Sequence, residues 1–114
     1  MSASIEATVQ RSGYVVSCIP EDNTNRHHFE ISVEYRGRGL WGVFRHGFCL
    51  AVDGSWDYEP NPSSREDDWL ETHRFDEATA LELAKEAAKH ITTNGFTVED
   101  VLAKRRAGSK AYEL

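Results

Sequence analysis

The stretch DEATALELAKEAAKH (residues 76–90) carries the strongest helix signal in this chain of 114 residues. It is dense in Ala, Leu, Glu and Lys, which are good helix formers, and Asp76 is a suitable N-cap. Apolar residues such as Leu81 and Ala84 recur at helical spacing, while charged residues cover the opposite side. The pattern predicts a helix over residues 77–90 that lays one apolar face closely against a sheet.

The residues before this helix read as short β segments. The clearest is HFEISVEY (residues 28–35), in which apolar and polar side chains alternate with a period of two. The same reasoning predicts strands over residues 4–10, 14–19, 40–45, 48–52 and 55–58, the second of them central in the sheet. Residues 20–25 consist of turn formers and are expected to form an exposed loop. Asp53-Gly54 favours a tight type I′ turn, and hence a hairpin.

The chain changes character after Glu59. Pro60 and Pro62 cannot continue a central strand, and Ser64 followed by Asp67 predicts a short helical turn. Residues 69–75 fit either an extension of that helix or an edge strand, and their alternation favours the strand. Further on, Asn94-Gly95 is a plausible stop, and Thr97 with Asp100 can cap a second helix over residues 98–106.

Strands first and helices last are typical of an α+β domain. We expect a single α+β domain over residues 1–114, with residues 107–114 as a flexible tail. Its mostly antiparallel sheet should have five to seven strands and two C-terminal helices, the long one packed on one sheet face. The other face could meet solvent, the loop near residues 60–69 or a second subunit, as in a homodimer. Aromatic residues in and near the later strands predict aromatic surface there.

Charge is distributed unevenly along the chain. The formal net charge is −6, yet residues 53–77 hold nine acidic residues against two arginines. Such a field repels phosphate backbones, so nucleic-acid binding by the whole molecule is disfavoured. The chain has no run of 18 apolar residues and no signal peptide, which favours a cytoplasmic protein. Cys18 and Cys49 are then expected to be reduced.

Three segments of the second half look familiar: DGSWDYEPNPSSR (residues 53–65), HRF (residues 73–75) and NGFTV (residues 94–98), with an alanine-rich helix between the last two. In these segments the chain resembles a group of short, uncharacterised proteins of actinobacteria and their phages. The resemblance implies a small accessory protein of a phage or prophage. It carries over no catalytic residue and no cofactor.

The sequence contains no convincing pattern of catalytic or metal-binding residues. His46-x-x-Cys49 and His27-His28 come nearest to ligand spacing, but strand positions three apart point to opposite faces. The acidic loop is expected to be solvated, and solvated carboxylates are poor general acids or bases. Nothing in the sequence places a histidine near either thiol to activate it. We therefore expect a protein that is not an enzyme and takes neither a metal nor a cofactor.

Aromatic and acidic residues coincide in the segment of excess negative charge. Such a surface suits a basic protein partner or a second copy of the chain, with the rings as anchors and the carboxylates steering the encounter. The predicted partner-binding residues are Trp56, Asp57, Tyr58, Glu59, Glu66, Asp67, Asp68 and Trp69. The competing interpretation is that the rings belong to the core and the acids keep the loop soluble.

Two other binding functions stay open. A small ligand could occupy a pocket between sheet and helix, lined by aromatic residues, with Arg45 or Arg74 contacting an anionic group. Alternatively, the basic C-terminal helix, with Lys104, Arg105 and Arg106, could bind nucleic acid as part of a helix-turn-helix. Glu99 and Asp100 at the start of that helix argue against the second possibility.

Overall fold

A computed structural model gives the fold, and the structure describes residues 5–61 and 67–106, with side chains as far as residue 103. The architecture is α+β, as the sequence predicts. Five antiparallel strands form one sheet in the order in which they occur along the chain. These strands are β1 (Gly13–Val16), β2 (Ile31–Gly37), β3 (Leu40–Arg45), β4 (Phe48–Leu50) and β5 (Trp56–Tyr58). They are followed by α1 (Asp67–His73), α2 (Glu77–Ala88), the small hairpin of β6 (Thr92–Thr93) and β7 (Phe96–Thr97), and α3 (Val98–Arg106).

Two tight turns of the chain use residues with positive φ angles, a conformation that glycine adopts easily. His46-Gly47 joins β3 to β4 and Asn94-Gly95 joins β6 to β7, each with two successive positive φ angles, the geometry of a type I′ turn. The predicted hairpin at Asp53-Gly54 is present as β4–β5. The predicted type I′ turn is wrong, because Gly54 but not Asp53 has a positive φ. The strands are joined by residues 51–55 instead, and Gly54 N donates to Ala51 O at 2.9 Å within this loop.

One face of the sheet packs against α2, which confirms the predicted position of the long helix. The alternation of β2 and β3 places Ile31, Val33, Trp41 and Val43 on this face, and all four are buried. The small side chains of Ala80, Ala84 and Ala88 let α2 approach the strands closely. Asp76 caps the helix, since its carboxylate accepts a hydrogen bond from Thr79 N at 2.7 Å.

The opposite face is partly covered by α1, and here the strand predicted over residues 69–75 is wrong. Residues 69–73 are helical, and Phe75 makes only an isolated bridge to Trp41. The helix is favoured because it stacks the Trp69 ring on the His73 ring, with centroids 4.2 Å apart, and brings His73 Nε2 to Asp57 in β5. The helical turn predicted from Ser64 begins outside the described residues.

The first strands differ from the prediction at several points. Residues 5–10 form no strand, and Ser4 lies outside the described residues. The strand predicted over residues 14–19 is shorter and lies at the edge of the sheet. His28 and Phe29 belong to a 3₁₀ helix that precedes β2. The loop over residues 20–25 is not fully exposed, because Asn23 and Asn25 are buried, with Asn25 N donating to Asn23 Oδ1.

The second predicted helix, α3, has the expected boundaries. Its cap is reciprocal: Thr97 N donates to Asp100 Oδ2 at 2.8 Å, and Asp100 N donates to Thr97 Oγ1 at 3.1 Å. Val98 and Val101 bury this helix in the same core as α2. The predicted tail over residues 107–114 lies outside the described residues.

Candidate functional site

A cleft of about 500 Å³ opens between the C-terminal half of α2 and the β3–β5 part of the sheet. Its walls are apolar, and its rim carries Asp53, Glu86 and His90. Apolar residues that line it include Leu50, Val52, Trp56, Leu83, Ala87 and Ile91. The cleft exists because α2 faces the sheet with alanines at this end, so that Ala87 does not fill the space above the strands.

The β4–β5 hairpin positions the aromatic wall. Leu50 and Trp56 are directly opposite each other across the two strands, and both point to the α2 side. Leu83 and Ala87, four residues apart, share one face of α2 and approach the cleft from above. Trp56 is half-buried and packs against the main core, which leaves part of its ring for the cleft.

Arg45 is the cationic residue of this lining. It ends β3, and its Nη2 donates at 3.0 Å both to His28 O and to Thr93 Oγ1. Its Nε is buried and meets no acceptor in the part of the chain that the structure describes. Burial lowers the pKa of the guanidinium, which nonetheless stays charged at neutral pH. A fixed cation therefore borders an apolar cleft, while its Nε–H lies buried beneath the surface.

A different cluster occupies the opposite face of the sheet, under α1. Nε2 of His73 lies 2.8 Å from Asp57 Oδ2, and Nδ1 lies 2.8 Å from Trp69 O. The indole of Trp69 stacks on the imidazole with an angle of 2° between the rings. Both ring nitrogens are thus engaged within the protein, and the ring is covered, so His73 serves to hold α1 on β5.

Arg74 continues this cluster. Its Nη2 bonds to Glu59 Oε1, and its Nη1 donates to His73 O at 3.0 Å and approaches Cys49 Sγ at 3.6 Å. Burial raises the pKa of the Cys49 thiol, against a smaller opposing effect of the Arg74 charge. The thiol is therefore protonated at neutral pH, and an unactivated thiol is a poor nucleophile.

The structure separates the predicted partner-binding residues. Trp56 borders the cleft on the α2 side, whereas Asp57 and Glu59 turn to the opposite face and bond to His73 and Arg74. Tyr58 is 74% exposed. Asp67 and Asp68 are exposed at the start of α1, and Trp69 is half-buried beside them. Glu66 lies outside the described residues.

The two arginines considered as anion contacts also lie apart. Arg45 borders the pocket between sheet and helix, while Arg74 faces the other way and is paired with Glu59. The Asp57–His73 contact was not predicted from the sequence. A signal was present, because Trp69 and His73 are four residues apart and would share one face of a helix, but the strand assignment hid it.

The remaining candidates have other surroundings. His46 is exposed in the β3–β4 turn, whereas Cys49 is fully buried and Cys18 is partly buried; both thiols are free. Within residues 5–61 and 67–106, no three His, Cys, Asp or Glu side chains group as metal ligands. Between α2 and α3 lies the β6–β7 hairpin in place of a tight turn. The side chains of Lys104, Arg105 and Arg106 lie outside the described part.

Among the described helices, none is long and apolar enough to cross a bilayer. The resemblance to actinobacterial and phage proteins stays a prediction, since comparison with protein-family models, curated proteins and solved structures found no match to this chain.

Proposed function

We propose that this protein binds a small molecule in the cleft between α2 and strands β3–β5. The observation that carries the proposal is Arg45, a cation that borders this open, apolar cleft and has no carboxylate partner among the described residues. Its guanidinium bonds only to uncharged oxygens there, and a desolvated charge is compensated best by an opposite charge, which a ligand carboxylate can supply. The volume of about 500 Å³ also lies in the range of ligand pockets.

The lining indicates the class of ligand. Trp56 and Leu50 offer a flat apolar wall, which favours an aromatic or aliphatic body. Arg45 favours a carboxylate or another acceptor at the inner end, while Asp53 and Glu86 at the rim disfavour a second negative charge. The ligand class is therefore an aromatic monocarboxylate or a compound of similar polarity.

A set of aromatic monocarboxylates, including benzoate, anthranilate and indole-3-acetate, tests this proposal. A binder should raise the melting temperature saturably, and its amide shift changes in NMR should map to Trp56, Leu83 and Ala87. Arg45→Met should abolish the effect. It should also leave the unliganded fold nearly as stable, because Thr93 Oγ1 donates to His28 O at 2.8 Å without help from Arg45.

A matched control is Arg38→Met, which removes an exposed arginine in the β2–β3 turn. It should leave ligand binding unchanged. Shift changes that map to α1, or equal binding by the Arg45→Met variant, would contradict the proposal.

We propose, as a second candidate function, that the protein binds a basic protein partner through Asp67, Asp68 and Trp69 at the start of α1. The two exposed carboxylates beside the half-buried ring of Trp69 support it, whereas Tyr58 shares the α2 face with Trp56 and lies apart from them. Binding to such a partner should weaken with salt and be lost in the Asp67→Lys/Asp68→Lys double variant. Glu82→Lys, which reverses an exposed acid on α2, should have little effect. An accessory role in a phage or prophage would suit this candidate.

A further inference from the structure

Three exposed apolar side chains lie on one stretch at the N-terminal end of the sheet. Ile5 and Val9 are fully exposed, and Val15 in β1 is 57% exposed. All three positions are odd, so in an extended chain their side chains share one face. This face is the one opposite α2, because Val15 pairs with Ser32 and Ser32 pairs with Phe44 across the sheet.

Strand β1 forms an edge of the sheet with β2 as its neighbour. The ladder continues as far as Ser12, whose carbonyl accepts a hydrogen bond from Tyr35 N at 2.9 Å. Strand β2 ends at Gly37 and turns into β3, so residues 5–10 pass beyond it. These residues have the alternation of a strand, yet they pair with no other strand among the described residues.

The two edges of the sheet differ in how they are protected. The β5 edge carries Asp57 and leads into Glu59 and Pro60, and charges and proline discourage pairing with another chain. The β1 edge has neither a proline nor a bulge, and the only charges in residues 5–16 are Glu6 and Arg11, which cancel. The acidic segment begins at the far edge of the sheet, so two β1 edges can meet without bringing β5 edges together.

We propose that residues 5–16 form an antiparallel pair with the same segment of a second copy, joining the two sheets into one. Each copy supplies both an unpaired arm and an open edge, so a two-fold axis satisfies both at once. If Gln10 or Ser12 lies on the axis, Val15 faces Ile5 or Val9 of the second copy. Neither register places Arg11 opposite itself, which would be unfavourable.

The test is the oligomeric state of the full chain, measured by sedimentation equilibrium at high micromolar concentration. The wild type should be a dimer. Val15→Asp should raise the dimer dissociation constant about a hundredfold, since in either register it loses an apolar contact and buries a charge. Val15 lies outside the packed core, so circular dichroism and the melting temperature of the dissociated monomer should confirm an intact fold.

Leu40→Asp is the matched control, because it places the same charge on another exposed apolar residue of the sheet. It should leave the dimer unchanged. Hydrogen exchange gives a second readout, in which the amides within residues 5–10 that donate to the second copy should be protected in the wild type and unprotected in Val15→Asp. A monomeric wild type, or a dimer that Val15→Asp does not weaken, would overturn the proposal.

Discussion

The buried pair of Glu59 and Arg74 gives the sharpest test of how α1 is held on the sheet. The side chain of Arg74 is 3% exposed and that of Glu59 is 19% exposed, so removal of the carboxylate leaves a buried cation without its main partner. Breaking such a pair costs about 3–5 kcal/mol. We expect Glu59→Ala to lower the free energy of unfolding by about 3 kcal/mol, near the lower end of this range, because Arg74 keeps its bond to His73 O and its position over Trp69.

Three further variants sharpen this prediction. Glu59→Gln retains an acceptor and should cost roughly half as much, about 1.5 kcal/mol. Arg74→Met leaves Glu59 near Arg36, at 3.6 Å, and the double variant Glu59→Ala/Arg74→Met should be about 2 kcal/mol more stable than the sum of the single changes predicts. The control is Glu34→Ala, which removes a pair with Arg36 at 3.8 Å whose side chains are 41% and 35% exposed, and should cost less than about 1 kcal/mol.

Urea unfolding, followed by tryptophan fluorescence and by circular dichroism, gives the free energies. The two signals should coincide if α1 unfolds together with the sheet. The reasoning is refuted if Glu59→Ala destabilises the protein no more than Glu34→Ala, or if the double variant shows simple additivity. Either result would mean that the Glu59–Arg74 contact contributes no more than a surface ion pair.

Three other predictions follow from single side chains. The hydrogen bond from Thr79 N lowers the pKa of Asp76, so the carboxylate stabilises the fold fully above the ordinary carboxyl pKa of about 3.9 and loses this effect as the pH falls through the lowered pKa. The wild type should therefore lose its stability advantage over Asp76→Asn at acid pH in urea unfolding. A stability difference that stays constant with pH would contradict this prediction. Cys49 is fully buried and burial raises its pKa, so iodoacetamide should modify Cys18 first in the native protein, as peptide mass spectrometry would show. His46 has a φ of 51°, and His46→Asn should raise the free energy of unfolding in urea by up to about 1 kcal/mol, because Asn tolerates this conformation better.

Where local chemistry alone determines the structure, the sequence was sufficient to predict it. The helix α2 combines good formers, an N-cap and one apolar stripe, and strand β3 is bounded by glycine-containing turns at both ends. The reciprocal cap between Thr97 and Asp100 likewise depends only on residues three apart. Each of these features has its partners close in sequence, so no tertiary contact is needed to recognise it.

Contacts between residues far apart in the sequence determine the features that could not be predicted from it. Residues 69–75 fit two patterns, and the choice of helix depends on Asp57 and Glu59, which lie more than ten residues away and bind His73 and Arg74. The pattern of residues 5–10 favours a strand, but a strand needs a neighbour, which the described part of this chain does not supply. A pocket between sheet and helix was one of the possibilities predicted from the sequence. Which of Arg45 and Arg74 borders that pocket could not be predicted, because it depends on the face of the sheet that each one occupies.

Those two arginines explain why the two faces of the sheet have different roles. Arg74 lies between α1 and the sheet, where Glu59, His73 O and the Trp69 ring occupy its donors and its flat face, so nothing is left for a ligand. Arg45 lies on the α2 side, where it has two bonds to uncharged oxygens, no carboxylate partner among the described residues and one buried N–H that is unused. The desolvation of a cation is costly unless it is compensated, and on the α1 side Glu59 provides that compensation. On the α2 side the open cleft is the place from which a ligand carboxylate can provide it, and this makes the α2 face the stronger candidate for binding.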